Sequence, residues 1–158
     1  MQTISPYLWF DDQAEQAAEF YVSLFPNSRI LEVRRFGDDA PGQAAGVTTV
    51  RFEIDGMEVG ALNGGPLFPF TEAVSFMVQV ETQEEIDRLW NALIADGGEP
   101  SQCGWLKDRW GLSWQIVPTA LDRLFSDPDP ARVRRATEAM LSMGKLDIAA
   151  LEAAADAA

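Results

Sequence analysis

The chain has 158 residues, of which 47% are apolar and 23% charged, enough for one globular domain or two small modules. Twelve Lys and Arg stand against 25 Asp and Glu, a net charge of −13 that disfavours a nucleic-acid partner; the cluster Arg132-Val133-Arg134-Arg135 is too small to reverse it. Histidine is absent, and Cys103 is the single cysteine, which excludes His-based triads, imidazole metal ligands, an internal disulfide and cysteine zinc clusters.

In chain order, Ile4 to Phe10 reads as a strand that starts irregularly at Pro6. Asp12 and Glu15 suggest an acidic capping box. The helix after it carries Ala14, Ala17, Ala18, Tyr21, Leu24 and Phe25 and ends at Pro26-Asn27. Ser28 to Phe36 is a strand and Gly37 to Gly46 a loop. Val47 to Ile54 alternates, Asp55-Gly56 is a hairpin turn, and Met57 to Asn63 returns as a strand. Gly64-Gly65-Pro66 breaks the chain.

The order then repeats. Ala73 to Val80 is a strand, Thr82 and Glu85 form a capping box, and Ile86, Leu89, Trp90 and Leu93 make a second helical stripe. That stripe falls 69 residues after Ala17, Phe20, Tyr21 and Leu24, which suggests an internal duplication. Short strands follow around Ser101 to Leu106, a turn over Lys107 to Trp110 with Asp108-Arg109 as its cap, and a strand over Leu112 to Pro118. Helices over Ala120 to Phe125, Pro130 to Met143 and Asp147 to Ala158 lie outside the repeat, the second capped by Asp129. The expected organisation is paired modules over residues 1–118 (about 1–66 and 72–118). A helical tail over 119–158 would pack on the domain or on a partner subunit.

Two βαβββ modules resemble the vicinal oxygen chelate superfamily, and its PhnB-like branch above all, often labelled a 3-demethylubiquinone-9 3-methyltransferase domain. The carrying segments include Leu8-Trp9-Phe10-Asp11, Phe25-Pro26-Asn27-Ser28, Leu62-Asn63-Gly64-Gly65-Pro66, Ala73-Val74-Ser75-Phe76 and Cys103-Gly104-Trp105-Leu106-Lys107 through Gln115. The resemblance implies an α+β fold whose curved sheets enclose a cup. Strand alternation puts Leu8, Phe10, Val50, Phe52, Trp114 and Ile116 toward the helices. It leaves Tyr7, Trp9, Arg51, Glu53, Ala61, Asn63, Ser75, Met77, Ser113 and Gln115 for the cup. Of these, Tyr7, Trp9, Arg51, Glu53, Asn63, Ser75, Met77 and Gln115 are the candidate ligand contacts, although Arg51 and Glu53 also suit a solvated surface pair.

Metal-dependent relatives place His, Gln or Glu ligands where this chain has Ser5, Asn63, Ser75 and Gln115 by resemblance. Four neutral oxygens leave a divalent charge uncompensated, so the expectation is no metal and no cofactor. The methyltransferase label is not matched by a glycine-rich turn opening a helix, because Pro66 follows Gly64-Gly65. The expected function is small-molecule binding in a metal-free cup, with any reaction unassigned. The alternatives are a metal-dependent lyase, isomerase or dioxygenase and a non-catalytic resistance or sequestration protein. No leader is visible at Met1 and no membrane-spanning run occurs, so the cytoplasm is expected; a homodimer is implied by the resemblance and expected from a tail that must bury Met140, Leu141, Met143, Leu146, Ile148 and Leu151.

Overall fold

A computed structural model describes residues 2–157. The chain divides into two compact units, one up to Phe70 and one from Thr71 onward. The first contains β1 (Tyr7–Phe10), α1 (Ala14–Leu24), β2 (Arg29–Arg35), β3 (Thr48–Ile54) and β4 (Met57–Asn63). The second contains β5 (Ser75–Val80), α2 (Gln83–Ile94), β6 (Glu99–Pro100), β7 (Trp105–Lys107) and β8 (Ser113–Pro118). Then come α3 (Ala120–Phe125), α4 (Pro130–Leu141) and α5 (Ile148–Asp156). The sheets run β1-β4-β3-β2 and β5-β8-β7-β6, the same topology twice, and the fold is α+β with two βαβββ modules and added C-terminal helices.

The alternation in β3 is as expected. Val50, Phe52 and Ile54 are buried while Arg51 is exposed, and Asp55 and Gly56 make the β3–β4 turn in left-handed conformations (φ 47° and 78°). Leu8, Phe10, Val59 and Ala61 complete the layer beneath α1, which buries Ala14, Ala17, Ala18 and Tyr21. In α2 the stripe Ile86, Leu89, Trp90 and Leu93 is wholly buried, and Thr82 caps it by accepting from the Glu85 N–H at 3.2 Å.

The start of α1 departs from expectation. Asp12 does not cap it; the Asn63 side-chain oxygen, 49 residues away, accepts from the Ala14 N–H at 2.7 Å. A helix N–H needs an acceptor, and β4 delivers one beside the helix start, so the local carboxylate is not needed. Asn63→Ala should therefore cost about 1 kcal/mol in urea unfolding. Asn63→Asp should cost less, since its carboxylate still accepts and faces the positive end of the helix. Equal losses in the two variants would overturn this account.

Two further boundaries moved. Residues 101–104 are a turn rather than a strand, with Cys103 and Gly104 both left-handed (φ 58° and 84°). The next strand continues through Lys107, because the turn begins at Asp108.

The C-terminal helices pack within their own unit. Leu121, Leu124, Ala136, Leu146, Leu151 and Ala155 form one buried cluster, with Val117 of β8 packed against it. Gln83 of α2 ties the cluster to the module: its amide nitrogen donates to the Leu146 carbonyl at 3.0 Å, and its oxygen accepts from the Ile148 N–H at 2.9 Å. No helix among the described residues is long and apolar enough to cross a membrane.

Candidate functional site: the open sheet faces

On each sheet one face meets a helix and the other is open. Pairing registers decide which residues share a face, because directly paired residues point to the same side. In the first unit, Arg51 pairs with Gly60 and Tyr7 also pairs with Gly60, while Trp9 pairs with Leu62. The open face thus carries Tyr7, Trp9, Thr49, Arg51, Glu53, Glu58 and Leu62.

Ala61 and Asn63 do not belong to it. Ala61 pairs with Val50 and Leu8, and Asn63 with Phe10, so both stand on the helix side. Assigning Asn63 to the cup therefore fails by one residue of phase, and its oxygen is already held by the Ala14 N–H.

Two glycines set the aromatic geometry. A side-chain carbon at Gly60 would lie 2.5 Å from the Tyr7 ring, and one at Gly64 would lie 2.2 Å from the Trp9 ring. Each ring therefore lies directly over bare backbone. Trp9 is fixed further by its indole N–H, which donates to the Gly65 carbonyl at 2.9 Å, and by Phe68, edge-on at 4.9 Å between ring centres. Tyr7 and Phe68 nonetheless remain 57% exposed.

Beside the rings runs an ion-pair chain. Arg51 reaches Glu58 at 2.9 Å and Glu32 at 3.2 Å, Glu32 also receives Arg34 at 2.7 Å, and Glu53 pairs with Arg29 at 3.3 Å. Arg51 and Glu53 are not partners of one another. Glu53 and Glu58 stand directly opposite on β3 and β4, and each has its own arginine. Hydrogen bonds from Arg34 and then Arg51 hold the Glu32 carboxyl below its ordinary value. Its pairing is therefore intact at neutral pH and is lost as the pH falls through that lowered value.

The open face of the second sheet is assembled from two adjacent rows. Ser75, Ser113 and Lys107 pair in one row, and Met77, Gln115 and Trp105 in the next. Ser75 and Gln115 are brought together: the Gln115 amide donates to the Ser75 hydroxyl at 2.9 Å. Lys107 contacts the Glu72 carboxylate. That carboxylate raises the Lys107 ammonium pKa, and Lys107 lowers that of Glu72. Met77 is 57% exposed. At the far end of this face the Gln79 amide donates to Asp122 of α3 at 3.1 Å, so the tail borders it.

Sequence reasoning put Ser113 on this face but gave it no role. It is 1% exposed, and its hydroxyl has no hydrogen-bond partner among the described residues. No pattern within the strand marks an unpaired hydroxyl; only the tertiary structure does.

The architecture and these faces can be set beside known proteins. The family model described as 3-demethylubiquinone-9 3-methyltransferase matches residues 2–117. The chain belongs to this family. A Bacillus cereus structure described as a PhnB protein and 3-demethylubiquinone-9 3-methyltransferase is 33% identical, with TM-score 0.67, covering 75% of this chain and 100% of that one. Protein PA1353 from Pseudomonas aeruginosa is 23% identical, with TM-score 0.61, covering 75% of this chain and 98% of that one. The fosfomycin resistance protein FosX from Listeria monocytogenes is 16% identical, with TM-score 0.59, covering 80% of this chain and 98% of that one. PhnB and FosX place the fold in the vicinal oxygen chelate superfamily. No curated protein matches.

Two FosX structures are complexed with Mn(II). The donor set here does not fit such an ion. Ser75 and Gln115 bond each other, Asn63 faces the helix, and no group of three or more Cys, Asp or Glu among the described residues could hold a metal. Neutral oxygens alone compensate a divalent charge poorly. The family's methyltransferase description likewise finds no turn to support it at Gly64-Gly65, because residues 66–74 contain no helix.

Proposed function

We propose that the open sheet faces bind small organic ligands, the face of the first unit by stacking at Tyr7 and Trp9 and the face of the second unit by hydrogen bonding at Ser75 and Gln115, without a resident divalent ion. The observation carrying this reading is the pair of aromatic rings laid over Gly60 and Gly64. Each glycine leaves bare backbone under a ring, yet Tyr7 stays 57% exposed, an arrangement with more use for stacking than for core packing. Arg51 and Glu53 border the rings but are engaged in ion pairs with other residues, so they set the polarity of the rim rather than act as an acid–base pair.

Native mass spectrometry of the purified chain should reveal a co-purified organic compound. Trp9→Ala should weaken about tenfold the binding of a compound stacked on the first unit's face, and Gln115→Ala that of a compound hydrogen-bonded on the second unit's face. Unchanged affinity in both variants would remove the assignment. Stoichiometric manganese, zinc, nickel or iron in elemental analysis would remove its metal-free part. The reading also includes a homodimer, a frequent state among vicinal oxygen chelate proteins, and sedimentation showing only monomer at micromolar concentration would exclude it.

A further inference from the structure

We propose that the open face of the second sheet is a carboxylate-binding panel, and that the chain's own Glu72 occupies it until a ligand carboxylate displaces it. The inference rests on the ligand-binding reading above and names the chemical class of the ligand's polar end.

The panel is built from Ser75, Ser113 and Lys107 in one row across β5, β8 and β7, with Gln115 in the next. Gln115 donates to the Ser75 oxygen, which leaves the Ser75 proton free for another acceptor. The Ser113 hydroxyl is buried without a partner among the described residues. A buried unpaired hydroxyl is costly in a folded protein and calls for an acceptor that arrives later. Lys107 supplies the cation. Two hydroxyl protons, that of Ser113 beneath the surface, and an ammonium in one row offer donors that suit a carboxylate, and the Lys107 charge disfavours a cation.

Glu72 shows that a carboxylate reaches this lysine. It comes from the connector before β5 and contacts Lys107 while its side chain stays 61% exposed. Exposed pairs of this kind are weak and exchange readily. Glu99, paired with Lys107 across β6 and β7, adds a second nearby negative charge. In a chain of net charge −13, an approaching anion is repelled unless one of these carboxylates gives way, and Glu72 is the one in contact. Exchanging one carboxylate for another conserves charge at Lys107. An apolar ligand body would then lie over Met77 and Trp105, which pair with Gln115 from either side.

Calorimetric titration of the full chain with benzoate and with its neutral counterpart benzamide tests the proposal. Benzoate should bind and benzamide should bind at least about tenfold more weakly, the loss of a charge-assisted contact. Glu72→Gln should tighten benzoate about fivefold by removing the competing carboxylate and should leave benzamide unchanged. Ser113→Ala should weaken benzoate about tenfold while raising the thermal midpoint of the free protein by about 2–4 °C, because the unpaired hydroxyl is gone. Equal binding of the two probes, with no effect of Glu72→Gln, would overturn the carboxylate panel and leave small-molecule binding standing. Binding of neither probe, alongside a co-purified neutral compound, would have the same meaning. Binding of neither probe together with no co-purified compound would overturn both readings.

Discussion

Replacing Asp108 with alanine is expected to lower unfolding stability by about 3–5 kcal/mol. The side chain is 2% exposed, and its two oxygens divide the work of closing the turn before β8. Oδ1 accepts from the N–H groups of Trp110 and Leu112 at 2.9 and 3.0 Å, and Oδ2 accepts from the Trp114 indole N–H at 3.0 Å. Alanine leaves these donors without that acceptor, two of them in a buried setting, at about 1–3 kcal/mol for each orphan. Asp108→Asn separates the two halves. Its single carbonyl oxygen can keep the backbone bonds, but its NH2 then faces the indole N–H, donor against donor. A loss of about 1–3 kcal/mol should follow, and adding Trp114→Phe should cost less in that background than in the parent. Urea unfolding followed by circular dichroism reads the parent and the four variants. A loss below about 1 kcal/mol for Asp108→Ala would mean that the turn closes without it.

That turn was legible from the sequence, because an aspartate three residues before a glycine in Asp108-Arg109-Trp110-Gly111 is a local signal. So were the two helical stripes and the Thr82 cap of α2, since helical periodicity and a capping box need only neighbours along the chain. Asn63 was not. Its face depends on the phase of β4, where Val59, Gly60 and Ala61 are all buried in succession. Alternation disappears there because Gly60 has no side chain to mark its side and the Tyr7 ring covers it from the open face. The phase is recoverable only from pairing with β1 and β3, which a single strand does not contain. The α1 cap failed for a related reason: Asp12 looked like a local solution, but a partner from a distant strand outcompeted it. The candidate contacts divide in the same way. Tyr7, Trp9, Arg51, Glu53, Ser75, Met77 and Gln115 sit on strands with clear alternation, and their faces followed from it. Which of them bond each other, and which hydroxyl is left unpaired, is a tertiary property.

Leu146→Ala should cost about 3–5 kcal/mol and should release the C-terminal helices before the rest of their unit. Leu146 is fully buried in the cluster with Leu121, Leu124 and Leu151, but it also reaches back to the module. A side-chain carbon placed on Gly104 would meet Leu146 at 3.0 Å and the Ile116 carbonyl at 2.9 Å, so Gly104 provides the bare backbone on which this leucine rests. The neighbouring backbone is bound too: the Cys103 and Gly104 N–H groups donate to the Met143 and Gly144 carbonyls, each at 2.8 Å. Removing the leucine opens a cavity on one side while the backbone bonds and the Gln83 clamp hold the other, so collapse is restricted and the loss should lie in the upper part of the usual range. Filling the gap from the opposite side should not restore it. Gly104→Ala combined with Leu146→Ala still meets the Ile116 backbone and a φ of 84°, which a side chain tolerates poorly. Hydrogen exchange of α4 and α5 should speed up in Leu146→Ala more than exchange in β8, and Gln83→Ala should produce a smaller change of the same kind. If α5 exchange stays at the parent rate while β8 loosens, Leu146 belongs to the core of the sheet rather than to the joint that holds the tail.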